Sequence, residues 1–142
     1  MSVKYEEDFY GWIFGTIELL KAKKFDELDV DKLVDELKSL SEDKSQLLND
    51  SLYRLIAYLL QWQYQKESRG RILEDYIQEL RKRVKKLLLE SPCLETIGVF
   101  LEDAYEYSVL LIKQESYIET SLIPQECPYT FEQIMDDQFY PE

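Results

Sequence analysis

Apolar residues recur along this chain at the three-to-four-residue spacing of amphipathic helices. The spacing predicts a first helix from about Glu6 to Ala22, with Phe9, Trp12, Ile13, Ile17 and Leu20 on one face. Tyr10 and Phe14 widen that face, so the helix can touch two neighbours. Gly11 and Gly15 share the other side and weaken the helix by roughly 1 kcal/mol each. Glu6, Glu7 and Asp8 stand near its start and Lys21, Lys23 and Lys24 near its end, the arrangement a helix dipole favours. After a short connector, Lys23 to Asp29, Asp29 suits an N-cap. A long stripe then begins at Val30 and runs through Leu33, Val34, Leu37, Leu40, Leu47, Leu48, Leu52, Leu55, Ile56, Leu59 and Leu60 to about Gln65. Neither Gly nor Pro interrupts it. Its core-facing positions turn polar over Ser41 to Lys44, where a kink or break is the alternative to one continuous helix.

Gln65 to Gly70 is polar and reads as a turn. A further helix is expected from about Arg71 to Glu90, with Leu73, Tyr76, Ile77, Leu80, Val84, Leu87 and Leu88 within a third of the wheel. Ser91 and Pro92 fit the N-cap and first position of the next helix. Leu94, Ile97, Leu101, Ala104, Tyr105, Ser108, Leu111 and Ile112 carry that pattern to about Tyr117, with a possible bend at Gly98. From Ile123 the chain changes character, punctuated by Pro124, Pro128 and Pro141. Thr130 and Gln133 make a capping box for one short helix, Phe131 to Met135. Tyr129, Phe131, Ile134, Phe139 and Tyr140 are too apolar to leave in water, so this tail should pack across the bundle. The expected fold is all-α: a single domain, 1–142, of about four to five helices with one long central helix and a C-terminal tail, 121–142.

Composition agrees. Of 142 residues, 45% are hydrophobic and 32% charged, a globular balance. A chain of this length can bury roughly two-thirds of its unfolded surface without disulfide or metal. Four Gly and four Pro are too few for the many tight turns of a sandwich or barrel. A net charge of -12 implies solubility, and repulsion of nucleic acid and anionic membranes over most of the surface. Cys93 and Cys127 form no CxxC pair, which suits a reduced cytosolic protein, a single bridge being the alternative. The charged N-terminus is no signal peptide, and no stretch approaches the ~20 apolar residues of a membrane span. A cytoplasmic location is expected.

The chain contains no histidine. That removes Ser/His and Cys/His catalytic pairs, the usual zinc sites, and the Glu-x-x-His pairs of di-iron bundles. Asp29, Asp31, Asp35 and Glu36 could serve a metal-dependent enzyme, but acidic residues also suit a helix start, and no Gly-containing calcium loop is present. The basic residues are more distinctive. Lys66 to Lys86 holds eight basic against four acidic residues, a local net of +4 beside -16 for the rest of the chain. The candidate interaction surface comprises Arg69, Arg71, Arg81, Lys82, Lys85 and Lys86 with Trp62 and Tyr64. Arg71, Lys82, Lys85 and Lys86 point away from the apolar face on the wheel. A nucleic-acid stripe is one reading of this segment. The surrounding acidity makes an acidic partner protein or an intramolecular contact the better one. Trp62, Tyr64 and Trp12 suit either core aromatics or an interface, and eleven tyrosines make a homodimer plausible. Cys127 has no basic neighbour in sequence to activate it, so a structural thiol is expected. No cofactor, metal site or small-molecule substrate is implied. The leading expectation is a non-enzymatic helical interaction or regulatory protein, with a nucleic-acid-associated accessory protein as the alternative.

The stretches YEEDFYGW (Tyr5 to Trp12), FDELD (Phe25 to Asp29) and Leu33 to Leu40 resemble a bacterial family known as domain of unknown function 29, abundant in cyanobacteria. The resemblance continues through LLQWQYQ (Leu59 to Gln65), Arg81 with Leu87 and Leu88, SPCL (Ser91 to Leu94) and CPYTFEQIMDDQFYPE (Cys127 to Glu142), covering nearly the whole chain. It implies an all-helical fold and no activity, because the family has no established one. Relatives often carry His and Lys around the LLxWQ motif, where this chain has Tyr58 and Gln61, and a Trp at the position of Leu73. No role of those residues carries over.

Overall fold

A computed structural model describes residues 4–93, 101–116 and 118–142 of the chain. All regular structure among them is helical: α1 (Phe9–Lys21), α2 (Val30–Tyr64), α3 (Arg71–Glu90), α4 (Leu101–Glu115) and α5 (Phe131–Met135), with short 3-10 turns at Phe25–Glu27, Lys66–Ser68 and Thr120–Leu122. None of these helices is long and apolar enough to cross a membrane. Packing falls into two compact units, one up to Glu42 and one from Asp43 onward, a division not anticipated from the sequence.

In the first unit α1 starts later than expected, because Asp8 is its N-cap and its carboxylate accepts from the Gly11 N–H at 2.9 Å. At the other end, Lys24 N–H reaches the Leu19 carbonyl at 2.9 Å and Lys23 N–H the Leu20 carbonyl at 3.1 Å. This is a Schellman closure, and it forces Lys23 to φ 59°, where glycine is the usual residue. Asp29 caps α2, accepting from Lys32 N–H at 3.2 Å. Tyr5 donates to Glu36, Lys32 pairs with Glu6 at 3.2 Å, and the Lys32 amine lies 4.9 Å from the Tyr5 ring centre. Trp12 is buried, edge-on to Tyr5 at 5.1 Å.

The helix α2 runs unbroken through Ser41 to Lys44. All four of those residues are exposed, and their polarity does not interrupt the helix; Lys44 stands 3.9 Å from Glu90 of α3. The expected helix end at Gln65 falls one residue beyond the observed one.

The core of the second unit is built from fully buried Leu48, Leu52, Leu55, Ile56, Leu59 and Leu60 of α2. Ile77 and Val84 of α3, Tyr105 and Ile112 of α4, and Ile134 of α5 join it. Each such side chain contributes about 1.5–3 kcal/mol over an exposed one. The α3 bounds are those expected, but its buried arc is displaced. Tyr76 is exposed and stacks on Tyr58, while Arg81 takes a place inside. Ser91 is the C-cap of α3, and Pro92 and Cys93 form a turn. The expected positions Leu94, Ile97, Gly98 and Tyr117 lie outside the described residues. In α4, Ala104, Tyr105, Ser108 and Ile112 are buried as expected. The tail carries the expected capping box: Gln133 N–H donates to Thr130 Oγ1 at 3.1 Å and Thr130 N–H to Gln133 Oε1 at 2.9 Å. Tyr129 is buried and donates to Gln63 at 2.6 Å; burial pushes its phenol up, and pushes that of Tyr105 to about 12.

The left-handed lysine gives a direct check. Lys23→Gly removes the Cβ clash of that conformation and should raise stability by about 1 kcal/mol in chemical denaturation. A loss of stability would contradict the closure described.

Candidate functional site

Arg81 sits at the edge of the apolar arc of α3, next to Ile77 and Val84, and has no exposed surface. Charge at such a position is tolerated only where donors find acceptors. The acceptors are backbone carbonyls at the end of α5 and just beyond it. Nε donates to Ile134 at 2.8 Å, one terminal nitrogen to Phe139 at 2.6 Å and the other to Asp137 at 3.4 Å. The last carbonyls of a helix lack intrahelical donors and carry its negative dipole end, so a guanidinium satisfies both needs. The Tyr140 ring centre lies 5.3 Å from the guanidinium carbon. Burial pushes the guanidinium below its usual range, and Tyr140, Asp137 and Asp136 oppose that shift.

Other predicted site residues converge on the same tail. Arg69 donates through Nε to the Trp62 carbonyl at 2.6 Å and through a terminal nitrogen to the Pro141 carbonyl at 3.3 Å. Its guanidinium carbon lies 5.6 Å from the Trp62 ring centre, and Trp62 in turn meets Tyr140 at 4.7 Å. Lys85 pairs with the Asp137 carboxylate at 2.8 Å, and Gln78 donates to the Asp137 carbonyl at 3.0 Å and to the Tyr140 hydroxyl. Tyr64 is half-buried against the core. Arg81 is therefore no surface residue, and Arg69, Lys85 and Trp62 are engaged within the chain. The cause is the tail, whose carbonyls and Asp137 draw these groups inward. Arg71, Lys82 and Lys86 remain exposed, and Lys82 stands 3.9 Å from Glu79.

The carboxylates do not assemble. Asp29 caps α2, Glu36 accepts from Tyr5, and Asp31 and Asp35 face solvent. Among the described residues no group of three or more acidic or cysteine side chains is placed to hold a metal ion. The Cys127 thiol points at the Tyr129 carbonyl, 3.4 Å away, and burial pushes it up, the opposite of an activated thiol. Cys93 is exposed. The arrangement around Arg81 holds the chain's own segment from Ile134 to Phe139 through its backbone carbonyls.

A second feature lies in the first unit. Phe9, Tyr10, Phe14, Ile17 and Leu20 of α1 are exposed, Tyr10 and Phe14 by 72% and 65%, and Ile13 is half-buried. At 100° per residue these six fill a continuous arc of roughly 140° beside the buried Trp12 and Thr16. No acid enters that arc, and Lys21 alone touches its C-terminal edge. The width of the stripe was legible; its exposure among the described residues was not. None of the six was among the candidate site residues.

Two outcomes follow for the clamp. Arg81→Met keeps the buried stem but strips donors from three carbonyls, and should cost about 3 kcal/mol in urea unfolding; a loss below about 1 kcal/mol would contradict the geometry. Lys85 holds the Asp137 carboxyl below its usual range, first through their hydrogen bond. A depressed folded value means stabilisation present above the ordinary carboxylate range and lost as pH falls through the depressed one. Asp137→Asn should thus lower the melting temperature slightly at neutral pH, with the difference shrinking as pH falls through the depressed carboxyl range. A difference independent of pH would contradict the pair.

Residues 4–140 match the family model described as "Domain of unknown function DUF29". No curated protein and no protein of solved structure matches the chain significantly. With a match over nearly its full length, this chain belongs to the DUF29 family.

Proposed function

We propose that this chain is a non-enzymatic, cytoplasmic protein-interaction module whose contact surface is the apolar face of α1. The observation that carries the reading is the contiguous uncharged arc from Phe9 to Leu20, whose exposed apolar side chains share one face of one helix. Contiguous apolar surface of this extent on a folded unit marks a site of association. The basic segment supports a partner role less well than its composition suggested. Arg69, Arg81 and Lys85 serve the tail, which leaves Lys66, Arg71, Lys82, Arg83 and Lys86 for any nucleic-acid contact.

The reading is tested by recovering partners on immobilised full-length chain, a second copy of the chain counted among them, beside the Phe14→Glu variant. Stoichiometric recovery by the wild type that is lost in the variant is expected. Recovery of nothing by the wild type, or equal recovery by both, would overturn the proposal.

A further inference from the structure

We infer that the α1 face is occupied by a second copy of this chain, with the two α1 helices antiparallel across a two-fold axis. The inference rests on the preceding reading that this face binds protein, and names the partner. Three observations lead to it.

The first is charge. Glu6, Glu7 and Asp8 precede α1 or cap its start, and Lys21, Lys23 and Lys24 close it. Its thirteen residues span about 20 Å, so the two charge groups stand at opposite ends of the apolar arc. A two-fold axis places each surface against its own copy in reverse. Acidic end then meets basic end twice, while a parallel arrangement would set like against like. The two ends are complementary to each other across that axis, in addition to the pairs that Glu6 makes with Lys32 and Lys21 with Glu18 within the chain.

The second is area. Five large apolar side chains of α1, from Phe9 to Leu20, are exposed. They leave on the order of 600 Å² for burial, the lower end of the roughly 600–1,000 Å² per partner of a standard interface. The third is what surrounds it. The net charge of -12 opposes the approach of two copies wherever acidic surfaces face each other. The α1 arc is free of acid, so it is where copies can meet. Phe14 lies one residue from the midpoint of α1, which puts it close to the proposed axis.

The test is sedimentation equilibrium of the full-length chain at micromolar concentrations. A species of twice the 17.0 kDa chain mass is expected. Phe14→Glu, at a residue 65% exposed, should weaken association at least about 100-fold with helical content unchanged. The paired variants Glu6→Lys/Glu7→Lys and Lys21→Glu/Lys24→Glu should each associate about tenfold more weakly alone and recombine when mixed. A wild-type monomer, a dimer indifferent to Phe14→Glu, or a dimer strengthened by either charge variant alone would overturn the inference. A monomeric wild type that recovers a different protein through Phe14 would overturn the second copy while leaving the interaction reading intact.

Discussion

The guanidinium of Arg81 is sealed from water, and its partners lie 53 to 58 residues further along the chain. A buried charge without acceptors costs several kcal/mol, so the second unit closes favourably only when the tail supplies its carbonyls. The short helix α5 has the converse need, since its last carbonyls have no donors of their own. Each side removes the other's penalty. A five-residue helix has little stability alone; its capping box fixes one end and Arg81 the other. Trp62, Arg69 and Lys85 extend the same seam toward Pro141 and Asp137.

The first unit shows the opposite economy. Trp12 and Thr16 are the buried residues of α1, Ile13 is half-buried, and Phe9, Tyr10, Phe14, Ile17 and Leu20 are exposed. Its internal ties are the ring contacts of Tyr5 with Phe9 and Trp12 and the polar pairs among Tyr5, Glu6, Lys32 and Glu36. The tail is anchored through its buried side chains Tyr129 and Ile134, whereas the exposed arc of α1 is the basis of the proposed association.

Helix bounds were legible wherever local chemistry decides them. The limits of α3, the Asp29 cap and the Thr130–Gln133 box all follow from nearest neighbours in sequence, whereas the Asp8 cap that starts α1 was missed. The burial of the tail followed from its aromatic content. Arg81 was misplaced on the surface because an Arg-Lys-Arg run resembles a solvated helix end, and a wheel cannot show carbonyls that arrive from residues 134 to 139. Tyr76 was placed inside for the related reason that periodicity locates a stripe without its edges. The α1 face was seen as wide enough for two neighbours, yet pattern alone does not report which neighbours a chain provides.

Native-state hydrogen exchange on the full-length chain tests the clamp most directly. If Arg81 joins tail to core, the hydrogen-bonded amides of Gln133, Ile134, Asp136 and Phe139 share the protection of α3 and open with it. Exchange of those amides at unprotected rates, while α3 remains protected, would contradict the account.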